Sequence, residues 1–261
     1  MIKVIAGAIK HPTNRSLADF HAYWGQKHGP LFACTPELRR YVQHHTLPEA
    51  YASSPRPTHD GASMFWYDDL DAMRASSPLL GEVISPRDGD LYEWYVRSAR
   101  YGAPDALTLR EAVIADDRQL FDRSSHWPLH AKRTSVAAVE HIILDGQTTP
   151  DMVKAIFTAA RLPGLSLDEF SQRWRTVHGP LAARTPGLRR YVQNHVLPDA
   201  YAVSRPTHDG FSELWFDDLD ALRTAVTSPE WRTLREDGQT LFVYPMAIVI
   251  ARERVIKPLS S

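Results

Sequence analysis

The chain carries one segment twice. Residues 16–52 read SLADFHAYWGQKHGPLFACTPELRRYVQHHTLPEAYA, and residues 166–202 read SLDEFSQRWRTVHGPLAARTPGLRRYVQNHVLPDAYA, identical at most positions. A chain built this way folds either as two separate beads or as two units packed about a shared pseudo-twofold axis. The likeness runs on through PTHDG at 57–61 and again at 206–210, and through MFWYDDLDAMR at 64–74 against ELWFDDLDALR at 213–223. It continues in TLRE at 108–111 and 233–236, and in DDRQLF at 116–121 against EDGQTLF at 236–242. The units therefore span 1–147 and 150–257, the first lengthened by an insertion near 77–102 that is rich in Tyr and Trp.

Each unit reads strand, helix, strand, strand, helix, strand. The opening strands, at 2–10 and 153–162, are apolar and β-branched. Ser16 and Ser166 announce the helix that follows, and Glu169 completes a capping box in the second copy. Leu17, Phe20 and Trp24 share one helical face, as do Leu167, Phe170 and Trp174. The Gly-Pro pair after His28 and His178 is expected to end or sharply bend that helix. Asp69 and Asp218 cap the second helix, and a last strand lies near 135–144 and 245–255. This order is the ferredoxin-like βαββαβ arrangement of an α+β fold, an antiparallel sheet with its helices on one face. Two such sheets in one chain can cover each other's bare faces and close an intramolecular barrel.

The charge balance narrows the partners. Lys plus Arg number 30 against 31 Asp plus Glu, so the positive field of a nucleic-acid binder is missing and a small-molecule substrate fits better. The apolar run around 246–251 is too short to span a bilayer, so no membrane partner is expected. Cys34 is the single cysteine and its counterpart is Arg184, which points to a reducing, cytoplasmic setting without disulfides.

Side chains alternate along the second strand. Arg39, Tyr41, Gln43, His45 and Leu47 share one face, and Arg189, Tyr191, Gln193, His195 and Leu197 repeat it without change. That repeated polar face is expected to look into the barrel, where it either lines a cavity for a ligand or fastens the halves across the axis. His28 and His178 end a helix, where an imidazole serves chemistry or simply meets the last carbonyls. Arg39 and Arg189 could hold a carboxylate at the cavity rim, and Trp66 and Trp215 are packing or pocket wall. No histidine pair at ligand spacing recurs in both halves, so no metal is expected.

The pattern W-x3-H-G-P-L followed by T-P-x-L-R-R-Y-V-Q-x-H resembles the EthD-like family of the dimeric α+β barrel superfamily, here as a tandem fusion covering nearly the whole chain outside the insertion. Its relatives include proteins of ether breakdown, dehydratases and decarboxylases of aromatic polyketide pathways, and methylmuconolactone isomerases. Most work without a metal or organic cofactor, so the resemblance implies none here; other branches bind haem through a histidine, in motifs not evident in this chain. Similarity to the muconolactone isomerases implies a reactive group of His28, Tyr41 and His59 in the first half, and of His178, Tyr191 and His208 in the second. The loop around His59 and His208 departs from the isomerase sequence.

Two imidazoles and a phenol around one cavity suit proton abstraction beside a carbonyl, followed by isomerisation or loss of water or carboxylate. The expected protein is a cofactor-independent lyase or isomerase for a small oxygenated aromatic, lactone or polyketide-like metabolite. The alternative is a non-catalytic small-molecule-binding or accessory protein of a catabolic pathway. Differences such as Cys34/Arg184 and Gly25/Arg175 predict that only one half stays active. A chain that closes its own barrel is expected to be a monomer, or a homodimer joined through outer surfaces.

Overall fold

The computed structural model of the chain describes residues 1–12, 16–76, 106–122, 136–203 and 208–259, so the Tyr- and Trp-rich insertion lies outside the described residues. Eight strands form the framework: β1 (Ile2–Ala8), β2 (Arg40–Thr46), β3 (Gly61–Tyr67), β4 (Val136–Leu144), β5 (Val153–Ala159), β6 (Leu188–Val196), β7 (Gly210–Phe216) and β8 (Ile248–Lys257). They close an antiparallel barrel in the order β1-β3-β2-β8-β5-β7-β6-β4. The last strand of each half is the seam. β4 pairs with β1 of its own half and β6 of the other, and β8 pairs with β5 and β2 in the same way. Closure satisfies the strand edges that a single ferredoxin-like unit would leave open.

Helices cover the outside of each half. Ser16 accepts from the Asp19 amide at the start of α1 (Leu17–Tyr23), and Ser166 with Glu169 makes the expected capping box on the matching helix, Leu167–Arg173. Of the two outcomes expected at the Gly-Pro pair, an end to these helices does not occur. Each passes through a π-helical turn, Trp24–His28 or Trp174–His178, into a short segment, α2 (Gly29–Ala33) in the first half and Gly179–Ala182 in the second. The proline sits near the start of that segment. After α3 (Leu70–Ser76) the first half adds α4 (Ala106–Leu120); the second half adds Pro229–Gly238 after Leu219–Ala225. Two helical segments thus stand where the repeat pattern predicts one. No described helix is long and apolar enough to cross a membrane.

Both faces of the sheet are buried. Ile5, Val42, Met64, Ile156, Val196, Phe211 and Val249 from the two halves meet inside the barrel. The same interior holds a buried ion network. Glu213 binds the ammonium groups of Lys3 and Lys154, Lys3 also reaches Glu140 at 2.6 Å, and Lys154 also pairs with Glu253 and lies 3.1 Å from His44 Nε2. His44, Glu213 and Glu253 have a spacing a metal could use, yet the Lys154 ammonium already stands among them. Trp66 and Trp215 belong to this interior, their rings under Lys3 and Lys154 at 4.9 and 3.9 Å, so they are packing rather than a pocket wall.

The face assigned to the barrel cavity is therefore the wrong one. Tyr41 packs with Leu31 and Phe32 of α2 and with Val113 of α4, and Tyr191 with Ala182 and Trp231 of the matching helices. Alternation separates two faces but does not say which is inside, and apolar content cannot decide when both are covered.

Candidate active site

The repeated residues come together between the sheet and its helices. In the second half, His178 ends the π turn and its Nδ1 lies 2.8 Å from Asp237 Oδ2, at the end of the Pro229–Gly238 helix. Tyr191, on β6, has its hydroxyl 3.4 Å from Ser212 Oγ and accepts from Gln193 Nε2 at 3.1 Å and Trp174 Nε1 at 3.3 Å. Between His178 and Tyr191 opens a cavity of about 430 Å3, walled by Phe157, Ala182, Leu214, Trp231, Phe242 and Tyr244. Ser54 and Pro55 of the first half complete the wall, and Arg235 stands at it as a cation. A volume of this size, apolar with a few polar groups, suits a flat small molecule.

The first half repeats the polar groups but sets aromatic rings beside them. His28 Nδ1 lies 2.8 Å from Asp116 Oδ2, and Tyr41 reaches Ser63 and Gln43. Phe32 stands where the second half has Ala182, and Phe65 where it has Leu214. Their rings stack with centroids 4.6 Å apart, and Phe32 lies 5.5 Å from Tyr41, so aromatic carbon stands where Ala182 and Leu214 bound the second-half cavity.

Charge separates the halves further. Burial works against a charged His28, but its bond to Asp116 and the charges of Asp117 and Asp116 outweigh this, and its pKa is raised. Its Nε2 lies 3.5 Å from Asp117 Oδ1, so both ring nitrogens face carboxylates. For His178, burial prevails over the single Asp237 and the pKa is lowered. Its Nδ1–H donates to Asp237, and Nε2 is left without a partner among the described residues. A neutral imidazole in that tautomer offers a lone pair, the state a general base needs.

The remaining expected residues fall elsewhere. Arg39 and Arg189 form exposed ion pairs with Asp68 and Asp217 and do not line this cavity. His59 is buried with Nδ1 2.8 Å from Thr58 Oγ1, and His208 is half-buried beside Asp209; neither lines the cavity. Gln43 and Gln193 donate to the carbonyls of Trp24 and Trp174, and their Oε1 atoms meet His45 and His195. Asp116 and Asp237 went unremarked in the sequence. The signal was there: DDRQLF and EDGQTLF align within the repeat, each with an acid five residues before its final Phe.

A two-sheet barrel closed within one chain, its sheets covered by helices in each half, defines a fused dimeric α+β barrel. The EthD domain family model matches residues 13–86 and again 162–243, and the chain belongs to that family as a tandem of two such domains. Among solved structures, an EthD family protein from Bacillus halodurans shares 22% identity over 40% of this chain and 99% of its own, with a TM-score of 0.34. An anthrone oxidase-like protein aligns over 100% of this chain and 94% of its own at 9% identity, with a TM-score of 0.57. The latter shows the same fold across the full length. No curated protein matches the chain.

Proposed function

We propose that the second half is an active site for proton transfer on a small oxygenated aromatic or lactone-like molecule, giving an isomerase or lyase. The observation that carries this reading is the His178–Asp237 pair facing a cavity shared with Tyr191. Asp237 accepts the Nδ1 proton and fixes the tautomer. Nε2 then takes a proton from carbon beside a carbonyl; the C–H electron pair moves into the new C=C bond and the carbonyl π pair onto oxygen. The Tyr191 hydroxyl donates a hydrogen bond to that oxygen. Collapse returns the proton from His178 to another carbon, or expels a hydroxyl from the neighbouring position, which takes that proton and leaves as water; a carboxylate leaving group departs as the anion, and His178 gives its proton to solvent. Phe157, Trp231 and Phe242 supply aromatic walls, and Arg235 attracts an acidic substituent. In this reading the first half is scaffold, the chain is a monomer that closes its own barrel, and the free, exposed Cys34 fits a cytoplasmic setting.

The test is hydrogen exchange in deuterated water, followed by NMR over a panel of enolisable aryl ketones and unsaturated lactones. The intact protein should exchange the acidic carbon-bound hydrogen of one compound class. H178A should slow this at least about 100-fold, the lower range for a general base, whereas H28A should retain most of it. Equal loss in both variants, or binding without exchange for every compound bound, sinks the assignment; the latter outcome favours an accessory binding protein.

A further inference from the structure

The π turn preceding His178 frees a backbone carbonyl for a side chain. Gly179 N–H bonds to Trp174 O five residues back, and the same oxygen accepts from Gln193 Nε2 at 2.8 Å. The first half repeats this: Gly29 N–H and Gln43 Nε2, at 3.0 Å, share Trp24 O. The approach is close, since a Cβ at position 179 would lie 3.2 Å from Gln193 Nε2 and one at position 29 only 2.9 Å from Gln43 Nε2. Glycine after each histidine therefore serves the glutamine as much as the helix.

A carbonyl only accepts, so it settles which end of the amide is which. The NH2 of Gln193 must face Trp174 O, and its second hydrogen goes to the Tyr191 hydroxyl oxygen. Gln193 Oε1 is then an acceptor, so His195, 3.0 Å away, carries its proton on Nε2. Trp174, stacked on His195 at 4.4 Å, adds a second donor to Tyr191 through Nε1. Two N–H groups thus point at the Tyr191 oxygen, and its own hydrogen is left for Ser212 Oγ or for a molecule in the cavity.

Resting on the reading of the second half as the active site, we infer that Gln193 is a positioning residue: locked by the π-turn carbonyl, it presents Tyr191 as the hydrogen donor to the substrate oxygen. Burial outweighs these two N–H donors and raises the Tyr191 pKa, so the hydroxyl keeps its hydrogen and serves as a donor rather than as the proton-abstracting base. The same two donors stabilise negative charge that collects on that oxygen as its proton moves toward the substrate. His195 completes the set by saturating Gln193 Oε1, and burial with the nearby His141 and Arg175 holds it neutral, its pKa pushed down to about 3, so the set persists across the working pH range.

Q193M keeps the side-chain length and removes both donors. The C–O stretching band of carbon-labelled Tyr191, isolated by subtracting the spectrum of Y191F, reads whether that oxygen accepts hydrogen bonds. It should shift in Q193M toward a hydroxyl that accepts nothing from an amide, and W174F should shift it in the same direction by less. With a substrate from the exchange panel, kcat should fall about tenfold in Q193M with KM nearly unchanged. A band that stays in place in both variants overturns the inference. So does a shifted band with unchanged kcat, since Tyr191 would then not be the donor. Loss of exchange in Q193M with H178A fully active would instead sink the base assignment and leave the positioning standing. Should Q193M fail to fold, W174F alone carries the spectroscopic reading.

Discussion

Gly238 holds the place in the second half that Asp117 holds in the first, directly after the aspartate that binds the helix-end histidine. The exchange removes one of two carboxylates from His178 and leaves its Nε2 without a partner among the described residues, where His28 Nε2 lies 3.5 Å from Asp117. It also makes room: a Cβ at 238 would lie 2.6 Å from the Tyr244 hydroxyl, which closes over the cavity. One glycine therefore sets both the charge of the base and the shape of its pocket.

D117N should lower the pKa of His28 and bring it toward the behaviour of His178. His28 is raised in the folded chain, so it stabilises the fold fully below the unfolded value of about 6.5, and that stabilisation is lost as pH rises through the higher folded value. The variant should accordingly lose stability at pH 6 and lose less at pH 9. NMR titration of the His28 Cε1 proton and urea melts at the two pH values read this directly; an unchanged titration would show that Asp116 alone holds the proton.

Activity should have an acid limb below the ordinary imidazole range. Burial lowers the His178 pKa, and the base works only when deprotonated, so turnover falls as pH drops through a value under 6.5. D237N removes the partner that raises this pKa and orients the ring. It should move the limb to lower pH while cutting kcat by about 100-fold or more through loss of the tautomer lock. A limb that moves upward in D237N contradicts the pairing.

The duplication made the closed barrel readable, because two sheets with one bare face each have one way to bury both. Ser16 and Ser166 were legible for a local reason: a cap needs only its own helix turn. The orientation of β2 and β6 was not, since Val42 and Tyr41 are both buried, one against the opposite half and one against helices. Asp116 and Asp237 were hidden differently. They reach His28 and His178 from helices 88 and 59 residues away in sequence, and no periodicity marks such a contact. The difference between the halves rests on pairs such as Phe32 and Ala182, which become informative only once Phe65 and Leu214 are seen to face them.

A182F should place in the second-half cavity the ring that the first half carries at the matching position. The new ring would enter the cavity beside Tyr191 and Leu214, as Phe32 lies 4.6 Å from Phe65, without disturbing His178 or Asp237. Ligand binding by calorimetry should be lost while the His178 titration persists. Because the cavity receives the ring, the melting temperature should hold or rise, unlike the about 1–3 kcal/mol penalty of adding bulk to a filled core. Binding that survives A182F would place the ligand outside this cavity.

Glu213 offers the sharpest test of the barrel interior. The first half has Met64 at the matching position, so the network is asymmetric: one carboxylate bridges Lys3 and Lys154 across the halves. Burial raises the pKa of Glu213, but the charges of Lys154 and Lys3 overcome it and hold it down at about 2. A depressed carboxylate contributes stability present above its unfolded value near 4.5 and lost as pH falls toward 2, so acid unfolding should begin within that window. E213M leaves two buried ammonium groups, each keeping one other acid, Glu140 or Glu253. Removal of one member of a buried set costs about 3–5 kcal/mol, whereas replacing the whole set by apolar side chains of similar volume is often neutral. Urea melts should therefore show E213M strongly destabilised and the triple variant K3M/E213M/K154M, which empties the buried part of the set and leaves only the more exposed Glu140 and Glu253, less so. If the triple variant is the weaker of the two, the bridge is a net source of stability, and the two halves are held together by charge as well as by their shared strands.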